Sequence, residues 1–195
     1  MLPLAPIACF AFINSQALYS SNRKMTQCLK AVSRDALASL PSLKAPDGSL
    51  IAADAISNKL QGKRVALYFA AGWCPMCTSF EPGLIQFREA AAQSGKDLEI
   101  IYVPSDRSEA DAVKRTRAMG MMSVPIGEEA DAVKTRFKIW AGAESLKLGT
   151  GRRSGVPSLV VLGSRQGEEL KFLAAESEGV KSLCSWPLDD EMGIW

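Results

Sequence analysis

Trp73-Cys74-Pro75-Met76-Cys77 places two thiols three residues apart, between a short β-prone run and a segment with helical spacing. The run is Arg64-Val65-Ala66-Leu67-Tyr68-Phe69-Ala70, and Phe80, Leu84, Phe87 and Ala91 follow at intervals that put them on one side of a helix. A strand that turns into a helix with cysteines at the junction calls for an α/β arrangement. Cys74 is then expected just ahead of the helix and Cys77 in its first turn. A reversible dithiol/disulfide couple requires that placement.

Composition narrows the chemistry further. The 195 residues are 47% hydrophobic and 23% charged, which suits one ordinary soluble domain with an extension. The 23 basic and 21 acidic residues are mixed along the chain with no long basic stripe, so no nucleic acid partner is implied. No apolar run approaches the roughly 18 residues that span a bilayer, so no integral membrane association is expected. The chain has no histidine, which removes the usual general base of serine and cysteine hydrolases and the commonest zinc ligand. Its five cysteines, Cys9, Cys28, Cys74, Cys77 and Cys184, are odd in number and dispersed, unlike a disulfide-stapled scaffold. Zinc would need four ligands and finds no second closely spaced pair, so no metal is expected. The isolated cysteines read as inert small hydrophobes.

The remaining elements follow from local patterns. Met1 through Arg34 carries Arg23, Lys24, Lys30 and Arg34 and no acidic residue. It reads as an N-terminal extension or targeting segment within residues 1–40, which leaves cytoplasmic, organellar and secretory locations open. Asp47-Gly48 marks a turn between 42–44 and 49–51, so a small hairpin is expected to open the folded domain. Asp97 to Val103 reads as a core strand, and Ser108 with Asp111 three residues on reads as a helix start. Gly127 opens another helix, with acidic residues early, basic residues late, and Ala130, Val133, Phe137 and Trp140 on its apolar side. Ser158 to Leu162 and Glu169 to Leu173 read as a closing hairpin. The folded domain is expected over 41–187, with 188–195 as a tail.

These residues together resemble the thioredoxin superfamily, and within it the tryparedoxin/nucleoredoxin-like group. The resemblance rests on Leu67-Tyr68-Phe69-Ala70, Trp73 to Cys77, Phe80-Glu81-Pro82, Val103-Pro104-Ser105-Asp106-Arg107-Ser108 and Gly155-Val156-Pro157-Ser158, and it covers roughly residues 42–187. It implies a single-domain thioredoxin-like fold, a central mixed β-sheet flanked by helices. It also implies a thiol-disulfide oxidoreductase acting on oxidised protein substrates, with no bound cofactor beyond a redox-active Cys74-Cys77 disulfide. Electrons would come from an external thiol or a flavoprotein reductase, and the protein would be a monomer. The alternative within the same resemblance is a redox-sensitive binding module of nucleoredoxin type that uses the pair as a switch.

Residue roles follow from chemistry and resemblance jointly. A thiolate at a helix N-terminus is stabilised by unpaired backbone N–H groups and the positive dipole end, so Cys74 is expected as nucleophile. Cys77, one turn on and more covered, is expected to resolve the mixed disulfide. Pro75 suits the first helical position. Met76 stands where the family usually has a second proline. Trp73 is expected either as an apolar shelf beside the sulfur or as a packing residue. The resemblance implies a cis Val156-Pro157 peptide facing the dithiol. Tyr68 occupies the position of thioredoxin's buried acid, so proton transfer must use water or another carboxylate. The segment from Trp140 to Arg153 is longer than the family's link and is expected near the active face. Arg152 and Arg153 read either as guides for an acidic thiol substrate or as a solvated basic loop.

Overall fold

The computed structural model describes Leu40 and residues 42–164 and 167–195, all of which fall in the unit Val32–Trp195. The expected N-terminal extension, with Cys9 and Cys28, lies outside the described residues apart from Leu40.

The sheet is built around β3 (Arg64–Ala70), whose seven residues are all buried. A strand covered on both faces needs apolar side chains at every position, which is why this stretch reads as a continuous run rather than an alternation. It pairs in parallel with β4 (Leu98–Pro104) and antiparallel with β6 (Ser158–Leu162). Outward from β4 lie β5 (Met122–Ser123) and the hairpin of β1 (Leu43–Lys44) and β2 (Leu50–Ile51). Outward from β6 lies β7 (Glu169–Leu173). The order is therefore β2-β1-β5-β4-β3-β6-β7, a mixed seven-stranded sheet. The β1–β2 turn forms at Asp47-Gly48 as its sequence indicates: Gly48 adopts φ +92, and the Asp47 carboxylate accepts from the Ser49 amide at 2.9 Å.

Helices cover the sheet. α1 (Ala53–Leu60) follows β2 and buries Ile56 and Leu60. α2 (Pro75–Gln93) buries Cys77, Phe80, Leu84 and Ala91, with Phe87 half-buried against Trp186. Pro82 lies inside α2 on an exposed position. α3 (Glu109–Met119) begins at Ser108, whose hydroxyl accepts from the Asp111 amide at 3.2 Å, and ends at left-handed Gly120. α4 (Glu128–Phe137) buries Ala130, Val133 and Phe137. Trp140 is buried but lies beyond α4, because left-handed Lys138 (φ 57) ends the helix and redirects the chain. A short 3-10 turn, Gly142–Glu144, leads into α5 (Ser145–Leu148), and α6 (Ala175–Glu178) follows β7.

The last residues are packed. Trp195 is buried, its amide donates to the Lys63 carbonyl at 2.9 Å, and its carbonyl accepts from Gly62. Ile194 bridges Arg64 at the start of β3. None of the helices among the described residues is long and apolar enough to cross a membrane.

Candidate active site

Cys74 is the N-cap residue of α2, with extended backbone (φ −89, ψ 114), and Pro75 occupies the first turn. Proline fits there because its missing N–H would have had no intrahelical acceptor. The Cys74 amide donates back to Ala71 at 3.1 Å, and its carbonyl accepts from the Thr78 amide at 3.1 Å. These two bonds fix the turn from β3 into the helix. Cys77 follows one turn later.

The two sulfurs differ in access. Cys74 is 7% exposed and Cys77 is fully covered, so Cys74 is the more accessible of the two residues. Both are free thiols. Burial, then a hydrogen bond with Cys74, pushes the Cys77 thiol far above its ordinary range. The Cys74 Sγ lies 3.7 Å from the Val156 carbonyl oxygen across the molecule. That carbonyl precedes Pro157, and the Val156-Pro157 peptide is cis, as the resemblance implied.

The loop carrying Val156 is held from below. The Glu176 carboxylate accepts from the Gly155 amide at 2.6 Å and the Ser154 hydroxyl at 3.1 Å, while the Ser158 hydroxyl donates to the Gly155 carbonyl at 2.9 Å. Gly155 leaves room for this clasp: a Cβ there would meet the Glu176 carboxyl carbon at 2.8 Å. Nothing in the spacing of the sequence marked Glu176 for this place.

Tyr68 is fully buried beneath the dithiol. Its hydroxyl lies 3.5 Å from both the Cys77 carbonyl oxygen and the Glu81 carboxylate. Burial, and then the Glu81 charge, push its ionisation well above the usual tyrosine range. Glu81 is one helical turn beyond Cys77 and so shares its face of α2. It pairs with Arg115 of α3, both side chains being mostly covered (14% and 12% exposed). Burial raises the Glu81 carboxyl above its ordinary value, with Arg115 opposing. Glu81 is thus a carboxylate within reach of the buried Tyr68 hydroxyl. Neither it nor Arg115 was singled out, because an ion pair 34 residues apart has no local signature.

Trp73 is 41% exposed and Met76 50% exposed, flanking the thiols with apolar surface. The Trp73 indole N–H donates to the Ser105 carbonyl at 2.8 Å, so the ring is anchored by a hydrogen bond as well as standing in the open. Ser105 in turn donates to Glu144 at 2.7 Å, which ties the long 141–153 segment to the Trp73 side of the site. Arg152 donates to the Trp140 carbonyl at 3.1 Å. Arg153 makes a two-point pair with Glu169 at 2.8 and 3.0 Å and lies 3.9 Å over the Phe172 ring. Both arginines are committed to holding their loop. Among the described residues no cluster of three metal-ligating side chains occurs.

A strand-to-helix dithiol facing a cis-proline loop, on a mixed sheet of this order, defines a thioredoxin-like domain. The thioredoxin-like family model matches residues 62–169, more than half of the sequence, and the chain belongs to this oxidoreductase family. Mouse (Mus musculus) nucleoredoxin is 33% identical over 112 residues, which cover 57% of this chain but 23% of that protein. The chain thus matches under a quarter of the length of such relatives. Among solved structures, tryparedoxin I from Leishmania major superimposes with a TM-score of 0.55 at 25% identity, covering 80% of this chain and 96% of that one. Thioredoxin from Wuchereria bancrofti gives 0.50 at 29% identity, covering 68% and 81%.

Proposed function

We propose that the protein is a protein-disulfide reductase, with Cys74 as nucleophile and Cys77 as resolving thiol. The observation that carries this is the asymmetry of the pair: Cys74 reaches the surface at a helix N-cap, while Cys77 is enclosed behind it. The Cys74 thiolate attacks one sulfur of an oxidised substrate, forming a mixed disulfide and releasing the other sulfur as a thiolate. Cys77, losing its proton, then attacks the Cys74 sulfur. The substrate leaves with two thiols, and the Cys74-Cys77 disulfide is reduced by an external thiol or a reductase.

In this reading the Val156 carbonyl offers backbone pairing to an extended substrate segment, and Trp73 and Met76 supply apolar contact. Glu81, whose carboxylate shares the Tyr68 hydroxyl with the Cys77 carbonyl, is placed to receive the Cys77 proton through a water molecule. Its proximity on the same helix face supports that role.

Insulin reduction with dithiothreitol as donor tests the proposal. Wild type should outpace the Cys74→Ser/Cys77→Ser double variant. Cys77→Ser should accumulate a mixed disulfide through Cys74, and Cys74→Ser should accumulate none. Equal rates for wild type and double variant would refute reductase activity. Capture of a partner that differs between oxidised and reduced protein, without turnover, would instead support the nucleoredoxin-type switch.

A further inference from the structure

Next to the dithiol segment, lined by Gly72 and Trp73, lies a cavity of about 500 Å³. Trp73 forms one wall and α3 another, through Lys114, Arg115, Ala118 and Met119. Its floor exists because residue 72 is glycine: a Cβ there would meet an Asp106 oxygen at 3.0 Å and an Arg115 nitrogen at 3.2 Å.

The polar groups lining the cavity are unequally engaged. Each carboxylate already holds a donor. Asp106 accepts from the Gly72 amide at 2.7 Å and from the Tyr102 hydroxyl at 2.6 Å. Glu81 is paired with Arg115, and Asp111 accepts from the Ser108 hydroxyl at 2.6 Å. The cations differ. Neither Arg107 nor Lys114 has an ion pair or hydrogen bond among the described residues, and Arg107 only approaches the Trp73 ring, at 5.9 Å. The Arg115 Nε is buried without an acceptor. That nitrogen has no exposed surface, so the acceptors of a ligand in the open cavity would fall to Arg107 and Lys114. The apolar stems of the cations and the Trp73 ring suit the carbon chain that would carry them.

We infer that this cavity is a subsite for a carboxylate carried close to the reactive sulfur of the substrate, received by the exposed Arg107 and Lys114. The inference rests on the reductase reading and adds a substrate class to it: disulfides flanked by an acidic group. Guidance of an acidic thiol substrate, which the sequence suggests for Arg152 and Arg153, passes to the cations of the Trp73 cavity, because those two arginines are already engaged. Formal charge around the cavity balances, so selectivity comes from unspent donors at short range rather than from a long-range field. The preference should therefore be moderate and should weaken as salt screens the exposed cations.

Two amidated peptide disulfides, identical except for Glu or Gln beside the cysteine, provide the test, with oxidised glutathione as a third substrate whose carboxylates are not protein side chains. Wild type should favour the Glu peptide about fivefold to tenfold in kcat/KM, through KM. In the Arg107→Ala/Lys114→Ala variant the Glu-to-Gln ratio should fall to about one, and in Arg107→Glu/Lys114→Glu the Gln peptide should overtake the Glu peptide. A parallel loss for glutathione would extend the subsite to small carboxylate disulfides; glutathione unaffected would confine it to protein segments. Binding is also read without turnover, from Trp fluorescence of the Cys74→Ser/Cys77→Ser protein titrated with the reduced, S-methylated peptides. If wild type reduces neither peptide, the reductase reading fails while the titration still decides the subsite. Equal affinity for Glu and Gln peptides, or a preference that survives both double substitutions, overturns the inference.

Discussion

Glu176 holds the loop that faces Cys74, and replacing it by alanine gives the sharpest test of how that loop is kept in place. The carboxylate accepts from the Gly155 amide at 2.6 Å and from Ser154 at 3.1 Å, and Gly155 is buried. Removing it strands a buried N–H that had a charged acceptor, a loss of about 2 kcal/mol. For a domain of this size that corresponds to a drop in Tm of roughly 4–8 °C. Gly155→Ala should cost a similar amount by a different route, because its Cβ displaces the same carboxylate, with contacts at 2.8 Å and 3.0 Å. The two changes should therefore not add: in the Glu176→Ala background, Gly155→Ala should cost little, a coupling of about 1.5 kcal/mol or more. Urea denaturation of the four reduced proteins, with unchanged m-values, measures the cycle. Simple additivity, or a Glu176→Ala variant within about 0.5 kcal/mol of wild type, would refute this account of the clasp.

Glu81→Ala leaves Arg115 charged and mostly covered, so stability should fall by about 3 kcal/mol, whereas replacing both partners by apolar residues of similar size should recover much of the loss; thermal melts of the three variants decide this. The ionisations of Cys77, Tyr68 and Tyr102 are all raised in the folded protein, chiefly by burial. Each therefore contributes stability that is complete below its unfolded value, 9.0 for the thiol and 10.0 for the phenols, and is lost as pH rises above it. Urea midpoints of the reduced protein should decline above pH 9, and Cys77→Ser should flatten the first part of that decline; identical profiles would count against a buried, raised thiol. Trp195→Ala should destabilise the domain by about 3 kcal/mol, since a buried Trp side chain is lost from the core; an unchanged melt would mean the terminal residues are passengers.

Elements buried on both faces, or along a long stripe, were legible before any coordinates. β3 and β6 fall on the residues their apolar runs mark, β7 on its alternation of polar and apolar residues, and α2 starts where Pro75 indicates. α1 was missed because only Ile56 and Leu60 of its eight residues stand out as apolar anchors in a stretch that opens without a side-chain cap. β5 was missed because two residues cannot display a period. Ser108 and the Asp47-Gly48 turn were readable because their chemistry is local. Glu81, Arg115, Glu176 and the commitment of Arg152 and Arg153 were not, since each depends on a partner that only the folded chain brings near. The dithiol is legible as a spacing and the greater cover of Cys77 follows from its place one turn into the helix, whereas the loop that meets Cys74 is readable only through the family resemblance, because a contact 82 residues apart has no local signature.

The meeting of Cys74 with Val156 joins residues 82 positions apart, and Trp73 with Ser105 joins residues 32 apart. No contiguous stretch of the chain therefore contains the chemistry. A peptide spanning 73–77 carries two commonplace thiols, and so does the full chain whenever β6 or β4 comes away from β3. Alkylation of Cys77 thus serves as a clock for the integrity of the whole fold: the sulfur becomes visible to a reagent only when distant segments have let go.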